Sequence, residues 1–315
     1  MIEMIIKAAR PDIKDNSIKQ YMSSLRTLND GKPIMDVDFL KDFDAVMEKL
    51  SDRKPTTIKN YMNAIIVVLG ALKMDDDLIK RYGEVRDKLN DQYSEEQATH
   101  KKSDAQEKNW VEFEDYVKKV DDLGENLAAL KKKSEWSTDD KRRYQEYLIA
   151  KLYTVFPFRN DYVMKVISKA AFNKLSAKDK EENNYLVVPS NNHKMFFVLN
   201  SYKTRRKYGE RQVPITDGPI EKALKLWLKQ KNFESDSLFM DPTNSFSRPA
   251  DSATITKVLT SMSKREFEGR SVGSSLIRHM YLSSKYGDTV KEMEKDADVM
   301  MHSGGVQQTI YVKAD

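Results

Sequence analysis

The chain has 315 residues, enough for two domains at roughly 100–200 residues each. Hydrophobic residues make up 39%, charged residues 33% and aromatics 10%, with a mean hydropathy of −0.68; this is polar for a globular protein but leaves ample aromatic material for a core and excludes wholesale disorder. Cysteine is absent, which removes disulfides, thiolate nucleophiles and cysteine-based zinc sites, and the longest apolar run, residues 64–69, falls far short of a membrane span.

The net charge of +5, from 54 basic and 49 acidic residues, is unevenly placed. Residues 1–100 hold 16 basic and 18 acidic side chains, leaving 38 and 31 for the rest. A basic second part suits an anionic partner, nucleic acid first, although a lysine-rich solvated surface accounts for the same counts. The four histidines, His100, His193, His279 and His302, are far apart in sequence and argue against a histidine-rich metal site. The opening MIEMIIKAAR has too short an apolar run for a signal-peptide core.

In chain order, Ile18, Tyr21, Met22, Leu25 and Leu28 recur at helical spacing, as do Phe39, Leu40, Phe43, Val46, Met47 and Leu50. Pro55 suits the first turn of a third helix, and the acidic cluster at 75–77 suits the start of a fourth, carrying Leu78, Ile79, Tyr82, Val85 and Leu89. Residues 1–95 therefore read as a small helical bundle. The polar stretch after it reads as a linker, bounded at 96–108. The second unit, 109–315, opens with a helical face of Trp110, Phe113, Tyr116, Val117 and Val120, followed by a helix from Thr138. Strands are predicted at 185–189, 195–199 and 211–215, then helices around 218–230, 252–264, 273–285 and 289–300, with a last short one near the end. The fold class is mainly α, with a small antiparallel sheet in the second unit.

Phosphate-binding GxxxxGK[ST], dinucleotide-binding GxGxxG and HExxH motifs are missing, so ATP hydrolysis, dinucleotide chemistry and zinc peptidase activity lose weight. What remains is an ordered set in the second unit. Arg159 ends the apolar run of LYTVFPFRNDY. Lys203 lies in a strand, basic turn and strand. Arg278 sits in the apolar segment SSLIRHMYLSS, and His302 precedes Tyr311 by nine positions in MMHSGGVQQTIYVKAD. Singly, each has a plain structural reading: Arg159 as a snorkelling helix-end arginine, Arg278 as an ion-pair partner, His302 as a helix C-terminal residue. His279 reads as a packed core residue, and Lys207 rivals Lys203.

In order and local context this set resembles the tyrosine recombinase (phage-integrase-like) family, whose catalytic domain is similar to that of type IB topoisomerases. The resemblance spans most of the chain. It implies a core-binding, DNA-clamping domain at 1–95 and a catalytic domain at 109–315. The implied catalytic residues are Arg159, Lys203, Arg278, His302 and the nucleophile Tyr311, with double-stranded DNA as partner and no cofactor or metal. Arg205, Arg206, Lys207 and Arg211 are the implied DNA contacts, and Asp161 and Ser275 lie behind the site. Ser275 departs from the family's H-x-x-R motif, which puts the efficiency of proton transfer in doubt. The RNDY string and the MHS…IY ending resemble recombinase-like proteins of large eukaryotic DNA viruses and their satellites. The implied setting is DNA-associated and intracellular, with self-association into a synaptic tetramer on DNA. Only four residues follow Tyr311, so a monomer is expected in free solution.

The chemistry of such a set follows from its parts. Cleaving a phosphodiester builds negative charge on the non-bridging oxygens, which two guanidinium forks can hold. A tyrosine nucleophile stores the bond as a 3′-phosphotyrosyl ester, so rejoining needs neither ATP nor metal. Lysine can protonate the departing 5′ oxygen, and histidine can bond the phosphate or assist proton movement. A topoisomerase-like relaxing enzyme and a catalytically silent DNA-binding protein are the alternative readings.

Overall fold

The computed structural model describes residues 2–190, 193–233, 235–301 and 305, and divides into two compact units, one ending at Lys102 and the other beginning at Ser103. The first unit is all-helical: α1 (Ile2–Ala9), α2 (Asp15–Leu28), α3 (Phe43–Leu50), α4 (Pro55–Ala71) and α5 (Asp76–Ala98). Pro55 occupies the first turn of α4, where its missing N–H costs nothing, and the Asp42 and Asp75 carboxylates cap α3 and α5 by accepting from Ala45 N and Asp77 N. The apolar α4 is the hub against which α1, α2 and α5 pack, so Met62, Ile65, Val68 and Leu69 are buried with Ile6, Leu25 and Tyr82. The Tyr82 hydroxyl donates to Leu40 O at 2.8 Å, and burial pushes its pKa up to about 12.

The linker predicted at 96–108 contains two helical pieces. α5 continues to Ala98 because Glu95, Glu96 and Gln97 extend an already nucleated helix without needing an apolar face. Ser103 then starts α6 (Asp104–Asn109) through a capping box with Gln106.

The second unit continues with α7 (Phe113–Asn126), α8 (Thr138–Val155), β1 (Met164–Ser168), α9 (Lys169–Lys174), α10 (Ala177–Glu182), β2 (Asn184–Val188), β3 (Phe196–Leu199), α11 (Arg205–Tyr208), β4 (Arg211–Pro214), α12 (Gly218–Gln230), α13 (Ser252–Glu266) and α14 (Ser274–Val299). The buried α8, started by a Ser137–Asp140 capping box, is packed by α7, α12, α13 and α14. Its Gln145 amide pairs with Met240 N and O and anchors that segment to the helix.

The mainly α class with a small sheet is what the structure shows. The sheet has the order β1-β2-β3-β4; the three predicted strands pair antiparallel, whereas β1, absent from the sequence reading, joins β2 in parallel register. The sheet is therefore mixed rather than purely antiparallel. β2 is buried on both faces: Leu186 faces the main core, while Tyr185 and Val187 pack with Phe172 of α9. The two C-terminal helices expected at 273–285 and 289–300 form one continuous α14, with Gly287 tolerated in its interior.

Candidate active site

The loop between α8 and β1 carries Arg159 and Asp161, and the core fixes it by its backbone. Phe156 N bonds back to Leu152 O at 2.8 Å, and the Tyr153 hydroxyl donates to Arg159 O at 2.5 Å. Tyr162 donates to Phe156 O at 2.6 Å, and Asn160 Nδ2 reaches Thr256 Oγ1 on α13 at 2.8 Å. Phe156, Phe158, Tyr162 and Phe197 form an aromatic cluster beneath the turn. Buried anchors thus leave the Arg159 side chain exposed at a defined place.

α14 brings Arg278 to the same place. Burial lowers the Arg278 pKa, the neighbouring Arg159 charge lowers it further, and Asp161 and Tyr153 oppose both. Asp161 is the counterpart: burial raises its carboxyl pKa, against the Arg159 guanidinium, a hydrogen bond from the Arg159 backbone and the Arg278 charge. Two arginines and one carboxylate leave a net positive charge in a partly buried site, suited to an anion. Ser274, one helical turn before Arg278, hydrogen-bonds Tyr153, whose hydroxyl pKa burial drives well up. Ser275 is exposed, so contact with the layer behind the site falls to Ser274. His279 is exposed as well, which corrects its reading as a core residue. Successive helical positions turn by about 100°, and the inward ones here are Ile277 and Met280.

Lys203 is exposed in the turn that follows β3. Asn184, at the start of β2 and 2% exposed, links this turn to the Arg159 loop. Its Nδ2 donates to Asp161 O at 3.0 Å and Ser201 O at 3.1 Å, and its Oδ1 accepts from Asn200 N at 2.9 Å and Ser201 N at 2.8 Å. Of the expected DNA contacts, Lys207 and Arg211 place their cations 5.2 and 5.6 Å from the Tyr208 ring centre, and all three side chains are exposed. Arg206 is exposed on α11. Arg205 is engaged elsewhere: its Nη2 donates to Glu181 Oε1 of α10 at 3.0 Å. His302 and Tyr311 lie outside the described residues.

No family model matches the chain, and no curated protein matches it. Among solved structures the chain is similar to the crystal structure of XerA recombinase, at 14% identity and a TM-score of 0.33, over 90% of this chain and 82% of that one.

Arg159, Asp161, Lys203 and Arg278 stand out in the sequence, whereas Tyr153, Asn184 and Ser274, which hold them, belong to no motif. Asn184 had a visible signal: it is a polar residue opening the otherwise apolar run NYLVV. Tyr153 and Ser274 had none, because a helical tyrosine and a helix-start serine are ordinary in sequence.

Proposed function

We propose that the protein cleaves and rejoins duplex DNA as a tyrosine recombinase or integrase, through a 3′-phosphotyrosyl intermediate and without metal or ATP. The observation that carries this reading is that Arg159 and Arg278 lie near enough for each charge to act on the other and on Asp161, with a net positive charge left over. In the proposed step the Tyr311 oxygen bonds to phosphorus and the bond from phosphorus to the 5′ oxygen breaks. The Lys203 ammonium gives its proton to that oxygen, the phenol proton leaves to solvent, and a solvent proton restores the ammonium. Arg159, Arg278 and His302 hold the non-bridging oxygens. Preorganised donors of this kind are worth about 3–4 kcal/mol each in the transition state.

Asp161 has the part of a counter-charge to the two guanidiniums. Lys207, Arg211 and Tyr208 give the hairpin after β3 an exposed basic and aromatic surface suited to duplex DNA. The helical first unit acts as the DNA clamp, and synapsis assembles a tetramer on DNA.

Ser275 favours a second reading, a DNA-binding protein that has lost cleavage. The discriminating experiment incubates the protein with supercoiled plasmid, with paired candidate target sites and with a nicked duplex. Exchange at paired sites and a covalent adduct on the nicked duplex support the recombinase. Relaxation of any plasmid indicates the topoisomerase-like enzyme, and retardation without nicking indicates the silent binder.

A further inference from the structure

We infer that Asn184 is a positioning residue that sets Lys203 against Arg159 in the cleavage site, an inference resting on the proposed role of Lys203 as proton donor. A buried amide is costly unless its hydrogen-bonding groups are met, and an asparagine offers two donors and two acceptor positions. Asn184 is 2% exposed, and all four are engaged. Its partners lie outside its own strand pairing. Asp161 belongs to the loop entering β1, and Asn200 and Ser201 to the turn leaving β3. β1 and β3 flank β2 on opposite sides, so one side chain spans the end of the sheet and joins the loops on either side.

Asp161 is two residues from Arg159, and Ser201 is two residues from Lys203. Both segments carry further hydrogen bonds that hold their backbones. The Arg159 carbonyl is held by Tyr153, while the turn is closed by Asn200 Nδ2 on Glu210 Oε2 at 3.1 Å and by the Tyr202 hydroxyl on Gly209 O at 2.6 Å. An ammonium that must protonate a departing oxygen works only within hydrogen-bond reach, and a displacement of about 1 Å costs on the order of 100-fold in rate.

The test uses the full chain and two nicked DNA duplexes, one ordinary and one with sulfur replacing the scissile 5′ oxygen. A thiol has a pKa of about 8.5, so the sulfur leaves as thiolate without a donated proton. Asn184→Asp keeps the acceptor oxygens and loses both donors; Asn184→Ala loses all four bonds. With DNA affinity unchanged, both variants are expected to cleave the oxygen substrate at least ~10-fold more slowly. Both should cleave the sulfur substrate at the wild-type rate, whereas Arg278→Ala stays slow on both. If Asn184→Ala does not fold, Asn184→Asp carries the comparison, since both backbone N–H partners keep their acceptor. Equal slowing on the two substrates, or no slowing on either, overturns the inference while leaving strand cleavage intact. A wild-type protein that cleaves neither substrate overturns the cleavage reading itself.

Discussion

The Tyr153 hydroxyl, on the last turn of α8, donates to the main-chain carbonyl of Arg159 at 2.5 Å. The same tyrosine interacts with Ser274 and Arg278 of α14, so one buried phenol braces both elements that deliver arginines. Tyr153→Phe keeps the ring in the core and removes the donor. It should cost about 1–3 kcal/mol, the penalty for leaving a buried polar group unsatisfied. Thermal denaturation reads the loss, and strand cleavage should fall more than DNA affinity. An unchanged melting temperature with unchanged cleavage would contradict the bracing role.

The raised Asp161 pKa predicts a pH signature. A carboxyl with a native pKa above its unfolded value of 3.8 binds more protons in the folded state, so its contribution to stability is present below 3.8 and lost as pH rises towards the native pKa. The wild type should therefore lose stability as pH rises above 3.8 relative to Asp161→Asn, which carries no such titration. Parallel denaturant titrations of the two proteins measure the difference, and superimposable pH profiles would refute it.

Arg205 and Arg211 fall in one basic stretch of the sequence, but their surroundings separate them. Arg205 is occupied by Glu181, whereas Arg211 is exposed and lies over Tyr208. Overall DNA affinity should fall steeply with salt, because each neutralised phosphate releases counterions. Arg211→Ala should lower the slope of log affinity against log salt by about 1. Arg205→Ala should leave that slope unchanged. The reverse pattern would move the DNA surface to α10.

Arg278→Ala removes one of the two guanidinium forks without touching the buried Ile277 and Met280. Cleavage should fall about 10²–10³-fold, in line with the loss of one preorganised oxyanion donor. Duplex retardation should persist. Loss of binding in step with cleavage would assign Arg278 to affinity rather than to the reacting phosphate.

The parts of this molecule that were legible in sequence are those with strong local patterns. α4 is announced by a proline and an apolar run, β2 and β3 by short continuous runs of β-branched and aromatic residues, and the hairpin by its basic turn. β1 was not, because MKVIS is five residues long with polar Lys165 and Ser168, and it becomes a strand by pairing with β2 on one edge and bonding the 236–238 segment on the other. α6 was legible in principle through Ser103 and Gln106, but the polar composition around it masked the capping box. The convergence of Arg159 and Arg278 was suggested only by family resemblance. No local pattern encodes an encounter between residues 119 positions apart; it follows from α14 packing against α8.

The central claim, that Tyr311 is the nucleophile, is tested most directly by identifying the residue that becomes joined to DNA. A nicked duplex whose 5′ fragment diffuses away after cleavage traps the intermediate. Protease digestion and mass spectrometry of the denatured adduct then locate the phosphodiester on a single side chain. The account predicts a nucleotide on Tyr311, no adduct from Tyr311→Phe, and unchanged duplex retardation by that variant. An adduct on any other residue, or one still formed by Tyr311→Phe, would contradict it.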